Sequence, residues 1–221
     1  NYVAVFTEEP VMLWFKNSMT LAVVTVAISL AAAIPAAYAF SRMRFKGRKP
    51  ILKQLVLLYS FPSVLSMFAI YTLLRPLGLI NSKVGLILIY TGTMAEFGLL
   101  NMKGYFDTIP REIEEAAEID GCNPFMTYWR IMLPLVVPAM LTLGVFTLMN
   151  TWNDYMGPLI YLSSPEKYTM TLGIAYFKGV YTTQWNLVMA GSIVSVVPIL
   201  IAYLCAQKYF IEGIAFSGVK G

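Results

Sequence analysis

The segment DTIPREIEEAAEIDGCNPFMTYWRIMLP, Asp107 to Pro134, holds six of the chain's twelve carboxylates and contains no apolar run of membrane length. It lies between two long apolar stretches. Read locally, it is two short helices. Asp107 or Thr108 is expected to cap the first, with Pro110 in its first turn and Glu112, Glu114 and Glu115 near its positive end. Gly121 is expected to end that helix. Asn123 then caps a second helix with Pro124 at its first position, running through Trp129 toward Leu133 and Pro134. Ala116 and Ala117, with Ile113 one turn back, form a low-relief face that another protein's groove could approach closely. The alternative is an interfacial helix resting on lipid headgroups, against which six acids argue, because an anionic inner leaflet repels them.

The surroundings are those of a membrane protein. Of the 221 residues, 58% are hydrophobic and only 13% charged, and the mean hydropathy is +0.66. Five stretches reach the roughly 20 residues that a spanning helix needs. They are Asn17 to Ser41, Gln54 to Leu74, Val84 to Met102, Ile131 to Asn153 and Leu187 to Gln207. The apolar residues run continuously instead of alternating, which favours helices over barrel strands. Pro35, Pro62, Pro138 and Pro198 fall inside these runs as expected kinks, and Glu96 is the only acid well inside one. Glu96 is expected to line a cavity or to pair with a partner residue, the alternative being that the run ends earlier and Glu96 lies near wet protein.

Lysines and arginines orient the bundle. The connection carrying Arg42, Arg44, Lys46, Arg48, Lys49 and Lys53 is expected inside. Alternation then places the acidic segment and the C-terminal tail inside too, so that eleven of the sixteen basic residues face the cytoplasm. Asn1 falls outside. The lack of a starting Met or leader leads us to expect a fragment, and with Asn1 outside a complete chain with a cytoplasmic start would need one more helix upstream.

Several chemistries are excluded or unsupported. The absence of His removes histidine metal sites and Ser-His-Asp or Cys-His nucleophile arrangements. Cys122 and Cys205 offer no disulfide framework. No G-x-x-x-x-G-K-[ST] loop is present. A membrane-embedded enzyme would need paired catalytic groups within a run, which neither Glu96 nor Asp154 supplies. No cofactor, metal or nucleic-acid partner is expected.

Glu115 to Pro134 fits the pattern E-A-A, three residues, G, nine residues, I-x-L-P. That pattern resembles the cytoplasmic loop of binding-protein-dependent ABC importer permeases. DTIPREIEEAAEIDG, TWNDY at 151–155 and the terminal SGVKG extend the resemblance to MalG-type carbohydrate permeases over the whole chain. The resemblance implies an all-α polytopic bundle of the type I importer permease class, one transmembrane domain over 1–221 with a coupling loop at 103–134. It also implies a multi-pass protein of a bacterial or archaeal inner membrane. The expected partners are a cytoplasmic ABC ATPase dimer, a second homologous permease, an extracytoplasmic solute-binding protein and the lipid bilayer. Glu112, Glu115, Ala116, Ala117, Asp120, Gly121 and Pro134 would couple to the ATPase. Ser217, Gly218, Val219, Lys220 and Gly221 would reach it as a tail, the alternative being a solvated end. Gly157 to Trp185 would form an outer loop that meets the solute-binding protein.

Polar groups within the runs are candidates for a solute path. Tyr59, Ser60, Ser63 and Ser66 recur near helical spacing on the second run. Asn150, Trp152, Asn153, Asp154 and Tyr155 crowd the outer end of the fourth. Aromatics beside amides and a carboxylate suit a sugar, though an aromatic belt and packing serines would look alike. The expected solute is a sugar or oligosaccharide, with a polyamine or phosphate as the alternative. A passive channel or scaffold is a further reading, but it gives no reason for the docking motif.

Overall fold

A computed structural model describes residues 6–7, 9–178 and 183–218, with side chains to 205 and at 207. Apart from one antiparallel bridge between Lys178 and Thr183, regular structure among these residues is helical. The helices are α1 (Val11–Arg42), α2 (Arg48–Tyr59), α3 (Ser63–Leu74), α4 (Lys83–Thr108), α5 (Glu112–Ile119), α6 (Pro124–Thr127), α7 (Leu133–Leu135), α8 (Val137–Asn153), α9 (Met156–Tyr161), α10 (Met170–Tyr176) and α11 (Trp185–Gly218). A π-helical turn, Tyr128–Met132, joins α6 to α7.

Helices α1, α4 and α11 are each long and apolar enough to cross a bilayer alone. The second and fourth expected spans are not single helices. Helices α2 and α3 meet at 101°, and the stretch Pro124–Leu135 meets α8 at 70°. The sites of breakage reflect proline chemistry. Pro62 has no N–H and disfavours helical backbone at the residue before it, so the chain turns there and α3 starts afresh. Pro138 lies in the first turn of α8, where the missing N–H costs nothing. Pro35 and Pro198 do sit inside continuous helices.

The chain folds into two compact units. The first comprises Asn1–Ala27, Pro62–Gly92 and Phe146–Cys205, and the second Ile28–Phe61, Thr93–Val145 and Ala206–Gly221.

In the first unit Trp14, Trp152, Met170 and Phe177 form a buried core with Val11, Ala22 and Leu187. Polar side chains of α1 are bonded within it. Trp14 Nε1 donates to Pro165 O, and Asn17 Nδ2 donates to both Glu166 O and Tyr168 O, each at 2.9 Å. Ser18 Oγ accepts from Met170 N–H at 2.8 Å. Gly173 is required by close approach, since a Cβ there would lie 2.1 Å from Trp14 Cε3. The segment expected as a long outer loop, Gly157 to Trp185, is in large part helical, with α10 packed against α1; residues 179–182 of it lie outside the described residues.

In the second unit Tyr38, Phe106, Tyr128, Met132 and Val136 form the main cluster. Gly98 lets α4 approach closely, because a Cβ there would stand 3.0 Å from Ala33 Cβ and 3.1 Å from Leu143 Cδ2. Small-residue contacts of this kind drive helix packing where lipid removes the hydrophobic incentive.

Candidate functional site

The acidic segment begins later than its sequence suggests. Asp107 and Thr108 cap nothing, for they are the last residues of α4. Asp107 instead accepts from Ser41 Oγ at 2.6 Å and pairs with Lys103 one turn back. Pro110 precedes α5 rather than entering it, and Arg111 occupies the cap position without a side-chain bond. The proline's steric demand on Ile109 explains where α4 stops.

The end of α5 is as expected. Gly121 has φ of +82°. Its N–H donates to Glu118 O at 3.0 Å, and the Cys122 N–H donates to Ala117 O at 2.9 Å. This pair of bonds is a Schellman motif, which needs a left-handed residue at the position Gly121 fills. Asn123 then caps α6, its Oδ1 accepting from Met126 N–H at 2.8 Å, with Pro124 at the first helical position. The second helix is shorter than expected. It passes into the π turn after Thr127, and Pro134 is exposed in the three-residue α7.

Helical geometry splits the two alanines. Successive residues diverge by about 100°, so Ile113 and Ala117, four apart, share one face while Ala116 lies on another. Ala117 is buried in the chain and Ile113 half-buried. The free face consists of Glu112, Glu115, Ala116 and Ile119, with Glu118 and Asp120 beside it, all exposed. Ile119 is 86% exposed and Phe125, just past the glycine turn, 71%. The face is thus a small-residue surface with two projecting apolar groups and a carboxylate rim. An apolar recess with basic edges would complement this face in shape and charge.

Glu114 faces the other way. Its Oε1 accepts from Tyr38 OH at 3.0 Å, and its Oε2 stands 3.4 Å from Arg42 Nε. Arg42 Nη2 also donates to Phe106 O at 2.6 Å and to Ile109 O. Sequence reading counts Arg42 only as a topogenic charge and does not single out Tyr38. An arginine closing a long charge-free run is the available signal.

The path candidates fare unequally. Trp152 is 1% exposed, packs edge-on to Phe15 at 5.5 Å and donates to Ser195 O at 3.1 Å, which makes it a core residue of the first unit. Asp154 is consumed locally by Tyr90 OH and by the N–H groups of Met156 and Gly157 at the start of α9. Asn150 and Asn153 are exposed, as is Tyr155, while the Tyr59 to Ser66 set does not lie on one helix. The turn at Pro62 separates Tyr59 and Ser60 from Ser63 and Ser66. Tyr59, Ser60 and Ser63 are exposed and Ser66 half-buried. Tyr59 stacks on Phe97 at 6.0 Å, and the neighbouring Glu96 reaches the Tyr59 backbone while its buried Oε1 has no partner among the described residues. Of the tail, Ser217 and Gly218 complete α11, and Val219, Lys220 and Gly221 lie outside the described residues. Among the described residues no group of three His, Cys, Asp or Glu side chains is placed to hold a metal ion.

The chain is similar to known proteins. Residues 28–215 match the family described as "Binding-protein-dependent transport system inner membrane component". The sulfoquinovosyl glycerol transport system permease protein SmoH of Agrobacterium fabrum is 31% identical over 221 residues, covering 100% of this chain and 78% of that protein. The maltose/maltodextrin transport system permease protein MalG of Vibrio vulnificus is 34% identical over 218 residues, covering 96% and 73%. Among solved structures, a bacterial ABC transporter involved in the import of the acidic polysaccharide alginate superposes with a TM-score of 0.81 at 25% identity, over 95% of this chain and 78% of that one.

Proposed function

The chain belongs to the family of binding-protein-dependent transport system inner membrane components, multi-pass permeases of ABC importers, and we propose that it carries a sugar or oligosaccharide. The observation that carries the mechanism is the free face of α5, with Ala116 and Ile119 exposed inside a carboxylate rim and the helix closed by Gly121. That face docks into a cleft of a separate cytoplasmic ATPase. In this reading residues 103–134 are a coupling loop within a single transmembrane domain, and Glu112, Glu115, Ala116, Asp120 and Gly121 meet the ATPase. Pro134 and the tail from Ser217 to Gly221 support the same contact. Hydrolysis occurs in the partner, and the loop converts its closure into movement of helices between two arrangements.

The remaining partners are a second permease of the same family, which completes the path, and a solute-binding protein on the opposite side that meets the region from Gly157 to Trp185. Asn150, Asn153 and Tyr155, together with Ser63 and Ser66, all of the first unit, line the path. Sugar as solute is supported by the names of the relatives, whose systems carry sulfoquinovosyl glycerol, maltodextrin and alginate. Exposed amide and phenol groups suit hydroxyl-rich rims.

The test is copurification of the ATPase with Ala116→Trp and Glu115→Arg variants in membranes, beside uptake of a labelled oligosaccharide panel. Truncating or blocking a buried anchor weakens an interface by roughly ten-fold or more, so both variants should insert normally and lose the ATPase. Full retention by both would remove α5 from the contact. Uptake of a polyamine or phosphate in place of every glycan would overturn the sugar assignment.

A further inference from the structure

We propose that Arg42 is the positioning residue that transmits movement of α5 to α1. Arg42 closes α1, and its side chain is 7% exposed. One guanidinium nitrogen donates to Phe106 O and Ile109 O, carbonyls at and just beyond the end of α4, where the helix ladder runs out of donors. Its Nε faces Glu114 Oε2 at 3.4 Å, from the inner face of α5. One turn back on α1, Tyr38 OH donates to the other oxygen of Glu114 at 3.0 Å. Tyr38 also packs on Phe106 at 5.6 Å and on Tyr128 at 5.0 Å, so the same turn of α1 touches the chain on both sides of α5.

The geometry selects Arg and not Lys. Both carbonyls accept from the one Nη2, while Nε makes no hydrogen bond among the described residues and stands 3.4 Å from the carboxylate as an ion pair. The planar guanidinium thus spans a width from carbonyls to carboxylate that a point-like ammonium does not. Glu114 is bound at both oxygens from α1, so α5 cannot shift along its axis without dragging α1 or breaking a nearly buried ion pair. Helix α1 has no other ion pair with α5 among the described residues. The clasp is therefore a joint between the docking face and a membrane helix. Its two ends are distinct from the residues of that face, since Glu114 points inward while Glu112 and Glu115 point out.

This inference rests on the docking assigned to α5, and the experiment separates the two. Arg42→Lys, Glu114→Gln and Tyr38→Phe are placed in the assembled importer in proteoliposomes, and the ratio of solute moved to ATP hydrolysed is measured beside ATPase copurification. Arg42→Lys keeps charge and Glu114→Gln keeps an acceptor for Tyr38, so both should retain the ATPase and its hydrolysis. Their transport ratio should fall by roughly five-fold or more, the size of an ordinary coupling between sites, with a smaller fall for Tyr38→Phe. A static brace would lower transport and hydrolysis together and leave the ratio parental, and that result overturns the proposal. Full retention of the ATPase by both Ala116→Trp and Glu115→Arg would instead fail the docking reading, whatever the ratio does.

Discussion

Tyr90 donates its phenol to Asp154 Oδ2 at 2.7 Å, and the same carboxylate accepts from the backbone N–H groups of Met156 and Gly157. Asp154 thus joins α4 to the start of α9 within the first unit. Asp154→Ala should destabilise the protein by roughly 1–3 kcal/mol, because two helix-start donors and a phenol lose their acceptor together. Tyr90→Phe should cost less. Thermal unfolding in detergent reads both, and a parental midpoint for Asp154→Ala would return this carboxylate to the free path groups.

Trp152 and Asn153 are adjacent in sequence and opposite in role. Removing the buried Trp152 side chain should cost about 3–5 kcal/mol, as for other large-to-small core changes. Asn153→Ala, at an exposed position, should leave the unfolding midpoint unchanged while lowering uptake. If Asn153→Ala transports like the parent, the amide is not in the path.

Gly173 lies beneath the indole of Trp14. Gly173→Ala puts a carbon where ring atoms stand, and overpacking of this kind costs roughly 1–3 kcal/mol or more. Folded yield should drop, and Trp14→Leu in the same chain should restore part of it by vacating the space. Equal yields for Gly173→Ala with and without Trp14→Leu would show that the strain lies elsewhere.

Gly121 presents the reverse case. Nothing lies within 4 Å of a Cβ placed there, so the penalty for a side chain comes only from φ of +82°. That conformation costs an L-residue roughly 1–2 kcal/mol, and a β-branched one more. Gly121→Asn should be nearly silent, Gly121→Ala mild and Gly121→Val damaging to ATPase copurification and uptake, with insertion normal in all three. A flat series across the three substitutions would mean that the turn adapts and does not set the α5 angle.

Local signals in the acidic segment were legible because their causes are local. Gly121 as the end of α5, Asn123 as a cap and Pro124 at the first helical position each depend on a few neighbouring residues. Asp107 misled for the same reason: its capping chemistry is real, but a longer apolar helix absorbed it and Ser41, 66 positions earlier, took its oxygen. Hydropathy located the second and fourth spans and Pro62 and Pro138 marked kinks within them, but the size of each bend was not legible, since a window average carries no direction. Trp152 looked like a path residue because an indole at a helix end reads alike whether it faces a solute or Ser195. The Arg42 clasp was invisible for a related reason, its partners being set by the packing of three separate helices.

The bonds that hold α1 in the first unit reach 149 to 152 positions along the chain, from Asn17 and Ser18 to Glu166, Tyr168 and Met170. During synthesis α1 enters the bilayer before any of those partners has left the ribosome. Its amide and hydroxyl must then be satisfied by water, lipid headgroups or the insertion machinery, because unpaired polar groups in hydrocarbon cost several kcal/mol each. The first unit can close only when α10 arrives, late in translation. A nascent chain stalled before Pro165 therefore has Lys83 Nζ as a donor to Asn17 Oδ1 but lacks the carbonyls for Asn17 Nδ2 and the N–H for Ser18 Oγ, so α1 is held there by only part of its polar contacts.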